Sequence, residues 1–421
     1  MQKSNLVMYN RTVDNYWSFK TADTKEYTHC YHAYPAMMIP QVARTLIECY
    51  SPKDGCHFLF DPYMGSGTSL VEASLKGINS VGTDINPLAR LISQAKTTHF
   101  DVGEVEECIA EIQLFPFMFS EEKVIRTDFS RISNYSFWYS ELTLLKLSYI
   151  SQAIDSFEDK VQLFFKIALS EVVREVSFTR NGEFKRFRMA EDKIKRFNPD
   201  VFGLFESKVF RNLEGLKNYN KANGNATAKV CDFNTVYEIP DDIIPDESVD
   251  MIVTSPPYGD SHTTVAYGQF SRWANEWFDF PNAKNLDNLL MGGKKKSVQH
   301  FETESIKVEL EQIEDIDQTR YGEVVSFLND YSDSIHHIAP KIRKGGVVCF
   351  VVGNRTVKGI QIPLDYFTIE TFEKKGFHHI DTIVREIPNK RMPSKNSPTN
   401  VTGAKAATMS NEYIVIMEKN C

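Results

Sequence analysis

The sequence predicts an α/β fold, and two stretches of the chain carry that prediction. Residues 56–93 contain a short apolar strand, a turn with two glycines, a helical run and a second apolar strand. Residues 249–260, VDMIVTSPPYGD, begin as a buried strand that breaks at a serine and two prolines. Strands that alternate with turns and helices in this way are typical of α/β domains.

The N-terminal stretch divides into four predicted elements. Residues 58–60 form a strand, 61–68 a tight turn, 69–76 a helix and 80–83 a second strand that is followed by an acid. This order is that of half of a nucleotide-binding α/β unit. In such a unit the turn between strand and helix directs backbone amides towards a ligand.

The turn and the acid predict a ribose-bearing ligand. Gly65 and Gly67 permit a positive φ and close approach of the backbone, and Asp84 is placed to accept hydrogen bonds from a ribose. The turn lacks the third glycine of GxGxxG and the Lys-Ser or Lys-Thr pair of a P-loop. A ligand without a pyrophosphate remains, and S-adenosylmethionine fits that description.

Several motifs resemble those of the amino-group DNA methyltransferases. DPYMGSGT (61–68) and GTDINPLA (82–89) resemble the cofactor motifs of that family, and TSPPY (254–258) resembles its catalytic motif in the N4-cytosine form. HAYPAMMIPQVARTLI (32–47) is similar to the segment that closes over the methionine end of the cofactor, and 344–359 is similar to a later strand. The resemblance implies a Rossmann-like class I methyltransferase fold, with a mixed sheet of the seven-stranded type, helices on both faces and a helical insertion.

The resemblance also implies a set of cofactor-binding residues: Tyr34, Pro35, Asp61, Tyr63, Gly65, Gly67, Thr68, Asp84, Ile85 and Asp232. Asp232 stands in AKVCDFNTV, after a short predicted strand, and is assigned to the adenine contact. In this chain the cofactor motif precedes the catalytic one, and a long insertion separates them.

The SPPY loop suits methyl transfer to an exocyclic amine. Such an amine is a poor nucleophile because its lone pair is delocalised into the ring, and two acceptors on its N–H bonds turn that lone pair towards the methyl group. Ser255 Oγ and the Pro256 carbonyl are the predicted acceptors, and neither Pro256 nor Pro257 carries a competing N–H. Tyr258 offers a ring on which a flipped base can stack. These four are the predicted catalytic residues.

Other interpretations of this loop remain open. Two prolines also end ordinary strands, with Ser255 capping the turn and Tyr258 packing on a neighbour. In the family, serine before Pro-Pro favours N4 of cytosine, so N6 of adenine is the alternative target. An RNA base methyltransferase would usually carry Asn or Asp there, and a non-catalytic nucleic-acid-binding subunit would be expected to have lost the glycines.

The motif order predicts the domain organisation. We expect 1–99 to be the cofactor-binding part of the catalytic domain, 100–226 a mainly helical insertion that is a candidate for DNA recognition, and 227–421 the catalytic part. A DNA-contacting insertion is expected around 262–325. The predicted DNA contacts are basic side chains in these regions and in the C-terminal loop: Arg180, Lys185, Arg186, Arg188, Lys294, Lys295, Lys296, Arg391 and Lys395.

Composition limits the remaining possibilities. The net charge of -8 argues against general attraction to nucleic acid, so DNA binding is expected from local basic stretches. The 7 cysteines form no CxxC pair and the 10 histidines no HExxH motif, so no metal is expected. No secretory signal or membrane-length apolar run is present, which predicts a soluble intracellular protein. The resemblance implies the cytoplasm of a prokaryotic cell. The expected partners are double-stranded DNA and, acting separately, a cognate restriction endonuclease.

Overall fold

The computed structural model describes residues 9–122, 124, 128–182, 184–222, 224, 226–259, 266–293, 301–387 and 410–421, and the backbone alone of 395–396 and 406–407. These residues form a mixed α/β fold, which confirms the predicted class. The strands in chain order are β1 (Thr12–Val13), β2 (Phe58–Asp61), β3 (Asn79–Thr83), β4 (Ala228–Cys231), β5 (Val249–Thr254), β6 (Ile342–Val352), β7 (Thr356–Val357), β8 (Ile360–Gln361), β9 (Phe377–Glu386), β10 (Lys395–Asn396), β11 (Ala406–Ala407) and β12 (Asn411–Lys419).

The central sheet has the order β1-β9-β12-β6-β5-β2-β3-β4 within the described residues. β12 runs antiparallel to both of its neighbours, and every other neighbouring pair is parallel. The sheet is therefore of the mixed seven-stranded type that the resemblance implies, with the two-residue β1 added at one edge. β7 pairs with β8 and β10 with β11 in separate antiparallel hairpins.

Helices occupy most of the connections between these strands. The α-helices are α1 (Pro40–Tyr50), α2 (Thr68–Leu75), α3 (Pro87–Thr97), α4 (Val102–Ile112), α5 (Phe115–Met118), α6 (Tyr135–Trp138), α7 (Glu141–Asp155), α8 (Asp159–Glu175), α9 (Glu191–Ile194), α10 (Val201–Ala222), α11 (Tyr267–Trp277), α12 (Leu286–Leu289), α13 (Lys307–Ile316), α14 (Gln318–Ile338) and α15 (Leu364–Glu373). The strand, turn, helix and strand predicted between residues 58 and 83 are confirmed to within one residue. No helix in the described part of the chain is both long and apolar enough to cross a membrane.

Alternating side chains bury both faces of the sheet. In β5, Met251 and Val253 pack with α1 on one face, while Ile252 packs with α14 and α15 on the other. The neighbouring strand β2 divides in the same way, with Leu59 on the first face and Phe60 on the second. Strands covered on both faces are continuous hydrophobic runs, which is why VDMIVT reads as a buried strand.

The helices between α3 and β4 share one hydrophobic core with their neighbours. That core joins α4, α7, α8 and α10 to Leu88 and Ile92 of α3 and to Trp273 and Trp277 of α11. The helical segment therefore packs against the helix after the Asp84 loop and against the helix that follows the SPPY loop. The assignment of 100–226 as a separate DNA-recognition region stays a prediction.

Candidate active site

The two sequence motifs meet because their strands are neighbours. β2 and β5 pair in parallel, with Leu59 opposite Met251, so both strands end at the same edge of the sheet. Thr254 Oγ1 donates a hydrogen bond to Asp61 Oδ1 across 2.5 Å at that edge. The last residues of β2 and β5 are thus joined where the glycine turn and the SPPY loop begin, in the position where open α/β sheets bind ligands.

The glycine turn has the backbone conformation that its residues predict. Gly65 has a φ of 47° and Gly67 a φ of 72°, both in the left-handed region. Gly67 is the N-cap of α2, and a Cβ atom on it would lie 2.7 Å from Ser93 Oγ. Gly65 N donates to Asp84 Oδ2 at 3.2 Å, so the turn is held to the end of β3.

Two carboxyl groups lie at this edge, of which Asp61 is buried and Asp84 is partly exposed to the cleft. Asp84 follows β3, and its Oδ1 accepts a hydrogen bond from Asn86 N at 2.7 Å. Burial raises the pKa of Asp84 to about 6 despite its hydrogen bonds to Asn86 and Gly65. Burial also raises the pKa of Asp61 to about 6, against the lowering effect of its hydrogen bond from Thr254. Both groups therefore change charge close to neutral pH.

A cleft of about 940 Å³, including its open mouth, lies over these carboxyl groups. The predicted residues that line it are Tyr34, Pro35, Asp61, Tyr63, Gly65, Thr68, Asp84, Ile85, Ser255 and Pro257. Residues from the cofactor motifs and from the catalytic motif thus face one cavity.

Other predicted residues do not line this cleft. Gly67 shapes the turn beneath it, and Pro256 is buried in the loop. Asp232 is exposed after β4, whereas residues 233–236, which follow it, line the cleft. Tyr258 instead lines a second cleft of about 280 Å³ that includes Arg355, so the stacking role of Tyr258 stays a prediction.

Sequence reasoning missed the polar hub beside the cleft. Asn86 caps α3 and donates from Nδ2 to Tyr34 Oη and to Ser271 Oγ, each at 2.8 Å. Tyr267 of α11 stacks on the Tyr34 ring, with ring centroids 5.8 Å apart. The Asn-Pro pair that begins α3 is a visible capping signal, but nothing local indicates that α11 supplies its partners.

The SPPY loop is held by hydrogen bonds on the side away from the glycine turn. Ser255 is partly exposed in the cleft, and its Oγ lies 3.1 Å from Tyr258 Oη. Tyr258 Oη in turn donates to Glu412 Oε1 at 3.0 Å. Glu412 stands at the start of β12, and the sequence motifs gave no indication of it.

The basic segment after α8 forms a hairpin-like loop, with Thr179 bridged to Arg188. Arg180 and Lys185 are exposed on it, as phosphate contacts require. Arg186 is partly buried and its guanidinium packs over the Trp273 ring at 4.7 Å, so its DNA contact stays a prediction. Arg188 is likewise packed on an aromatic ring, that of Phe137, at 4.1 Å.

The remaining predicted DNA contacts cannot be placed in the same way. Lys294, Lys295, Lys296 and Arg391 lie outside the described residues. Lys395 lies in β10, where the description covers the backbone alone. Among the side chains that are described, no group of three or more His, Cys, Asp or Glu is arranged to hold a metal ion.

Comparison with known proteins places this site in a family. The N6/N4 family model, described as DNA methylase, matches residues 2–94, which include the glycine turn and Asp84. The Type II methyltransferase M.MvaI of Kocuria varians is 39% identical, over 97% of this chain and 94% of its own. The chain belongs to the N6/N4 DNA methylase family. The family predicted from the motifs is confirmed, and with it the enzyme class, a DNA methyltransferase.

More distant relatives extend over much of the chain. The Type II methyltransferase M.BsoBI of Geobacillus stearothermophilus is 23% identical, over 86% of this chain and 73% of its own. Among solved structures, the rRNA methyltransferase aviRa of Streptomyces viridochromogenes aligns over 91% of this chain and 86% of its own, at 9% identity and a TM-score of 0.32. A likeness this weak carries no argument about substrate.

The glycine turn yields a matched pair of substitutions. Gly67 and Gly77 share a φ of 72°, but a Cβ on Gly77 would meet nothing within 4 Å. Gly77→Ala should cost about 1 kcal/mol from backbone strain alone. Gly67→Ala should cost about 1–3 kcal/mol more, because the added atom must displace Ser93. Urea unfolding of both variants measures the difference, and equal losses would contradict the close packing of α2 on α3.

Proposed function

We propose that the protein transfers a methyl group from S-adenosylmethionine to the N4 amine of cytosine at a specific short site in double-stranded DNA. The main support for this proposal is that Ser255 and Pro257 of TSPPY line the same cleft as Gly65 and Asp84. An amine acceptor and a ribose acceptor therefore face one cavity in a chain of the N6/N4 DNA methylase family.

The lining residues fit S-adenosylmethionine. Each carboxylate oxygen of Asp84 already accepts one backbone N–H, and the carboxylate has lone pairs left for ribose hydroxyls. Gly65, with no side chain, leaves room above its backbone for the methionine part, and Tyr34 and Tyr267 form an aromatic wall. Phe233 and Asn234 line the cleft directly after Asp232, and we propose that they contact the adenine ring. The bound cofactor supplies an electrophilic methyl group on a sulfonium.

The residues of this chain prepare the amine. Ser255 Oγ and the Pro256 carbonyl would each accept a hydrogen bond from the two N–H bonds, so the nitrogen lone pair is directed along the line to the methyl carbon. Asp61 and Asp84, when ionised, place negative charge near a cofactor that is cationic at sulfur and nitrogen. Binding of both reactants in one cleft also brings the amine close to the methyl group.

Ser255 supports cytosine over adenine as the target base. The motifs resemble the N4-cytosine form of the family, in which serine precedes Pro-Pro, and adenine enzymes more often carry Asp or Asn there. N6 of adenine is the second candidate, because an exocyclic amine of either base can donate two hydrogen bonds to the same acceptors. Base flipping is part of the proposal, since neither amine can reach Ser255 from within a duplex.

The exposed basic loop after α8 is the proposed DNA contact. Arg180 and Lys185 would bind phosphates, while Arg186 and Arg188 brace the loop against aromatic rings. The Type II description of the relatives supports a separate cognate restriction endonuclease as partner, in the cytoplasm of a prokaryotic cell.

Analysis of the methylated product tests the target base. DNA treated with the protein and S-adenosylmethionine should yield N4-methylcytosine on nucleoside mass spectrometry, and N6-methyladenine would contradict the assignment. Ser255→Ala should lower the transfer rate by about 10²-fold or more while cofactor affinity is kept, because one amine acceptor is lost. Ser248→Ala, at the opposite end of the same strand region, is the matched control with wild-type rate.

Cofactor affinity should depend on pH through Asp84. The pKa of about 6 means that the neutral acid predominates below that pH, and a neutral carboxyl accepts ribose hydroxyl bonds less well. The affinity for S-adenosylmethionine, measured by calorimetry, should therefore fall as the pH drops from 7 to 5. The fall is at most about tenfold per pH unit for each carboxyl group whose ionisation is coupled to binding. Asp84→Asn should bind weakly throughout and show a shallower dependence. Equal wild-type affinity at pH 5 and pH 8 would contradict this role.

Salt dependence tests the basic loop. Arg180→Ala and Lys185→Ala should each weaken DNA binding and reduce the slope of log Kd against log salt by about 0.9, the value for one phosphate contact. Lys53 is an exposed lysine shortly before the first residue of β2, at the end of the strand away from the cleft. Lys53→Ala should leave the slope unchanged. An unchanged slope in both loop variants would exclude this loop from the DNA contact.

A further inference from the structure

A line of hydrogen bonds connects Ser255 to a charged pair outside the cleft. Ser255 Oγ lies 3.1 Å from Tyr258 Oη, and Tyr258 Oη lies 3.0 Å from Glu412 Oε1. The other carboxylate oxygen, Glu412 Oε2, accepts from Arg385 Nη1 at 2.5 Å. The Arg385 side chain is only 2% exposed, so the line ends on a buried cation.

The direction of each hydrogen bond follows from the groups in the line. An ionised carboxylate can only accept, so Tyr258 must donate its one proton to Glu412. Burial, and then the nearby charge of Glu412, raise the pKa of Tyr258 well above its ordinary value, so the phenol keeps this proton. The oxygen of Tyr258 is then left as an acceptor, and Ser255 must donate its own single proton to it. The lone pairs of Ser255 Oγ remain available to a donor in the cleft.

The strand arrangement fixes the far end of this line. Glu412 and Arg385 are register partners in the antiparallel pair β12 and β9. Arg385 also donates from Nε to the carbonyl of Trp17 at 2.8 Å, so its guanidinium is held on two sides. Arg385 and Glu412 form an ion pair in this position, so removal of either side chain would leave the charge of the other without compensation.

We propose that Glu412 is a positioning residue for methyl transfer, which acts through the Tyr258 hydroxyl to hold Ser255 as a hydrogen-bond acceptor for the target amine. A serine hydroxyl without such a partner can rotate and present its proton to the amine, in competition with the acceptor geometry. The inference rests on the proposed amine chemistry and holds for either base. It gives Tyr258 a role that depends on its hydroxyl and not on its ring.

A double-mutant cycle tests this line. Tyr258→Phe keeps the ring and removes the hydroxyl, and should lower the single-turnover transfer rate about tenfold or more with unchanged affinity for cofactor and DNA. In a Ser255→Ala background the same change should have little further effect, because the hydroxyl acts only through Ser255. Glu412→Gln, whose amide can donate to Tyr258, should also lower the rate and should be non-additive with Tyr258→Phe.

A matched tyrosine and glutamate pair provides the control. Tyr9 Oη donates to Glu373 Oε2 at 2.6 Å, against α15 and the beginning of β9 at the far edge of the sheet. Tyr9→Phe should transfer methyl groups at the wild-type rate. If Glu412→Gln unfolds because Arg385 loses its counter-charge, the Tyr258→Phe cycle still decides the question.

Two outcomes would overturn the proposal. One is a wild-type rate in Tyr258→Phe, and the other is an equal loss from Tyr258→Phe with and without Ser255, which would indicate a merely structural hydroxyl. The target base is tested separately, by product analysis of the wild-type enzyme. Methylated adenine would refute the cytosine assignment, but the double-mutant cycle would still test whether Tyr258 and Glu412 act through Ser255.

Discussion

The hydrogen bond between Thr254 and Asp61 is the contact on which the rest of the site depends. It joins the last residue of β5 to the last residue of β2, two strands that pair in parallel at the centre of the sheet. Every residue that faces the cleft from the glycine turn or the SPPY loop is placed by one of these strand ends. A shift of one residue would move the side chains of one strand to the opposite face of the sheet, so the packing on both faces enforces the register of the site.

This placement has an electrostatic cost. Asp61 is buried beside Asp84, and both carboxyl groups have pKa values raised to about 6 by loss of water. A cation that enters the cleft would lower the pKa of such a carboxyl group, because it favours the charged form.

Local chemistry made much of the site predictable. A strand, two glycines in the left-handed region and an acid at the next strand end lie within a short span, and each has a direct physical meaning. The partners that complete the site could not be read in this way. Tyr258 and Glu412 are 154 positions apart, and Asn86 and Ser271 are 185 apart, so only the folded sheet brings them together. The packing of the Arg186 guanidinium on a tryptophan ring could not be predicted either, because charge alone does not show which surface the stem and head of an arginine cover.

The position of β12 has a consequence for how the enzyme folds during its synthesis. Residues 411–419 are translated after all the other strands of the described sheet, yet they lie between β6 and β9. On the ribosome β9 can pair only with the two-residue β1 until β12 emerges, and Glu412 reaches the SPPY loop only with β12. Nascent chains should therefore stay without modifying activity during most of their synthesis, and a partly made enzyme would leave the host chromosome unmarked.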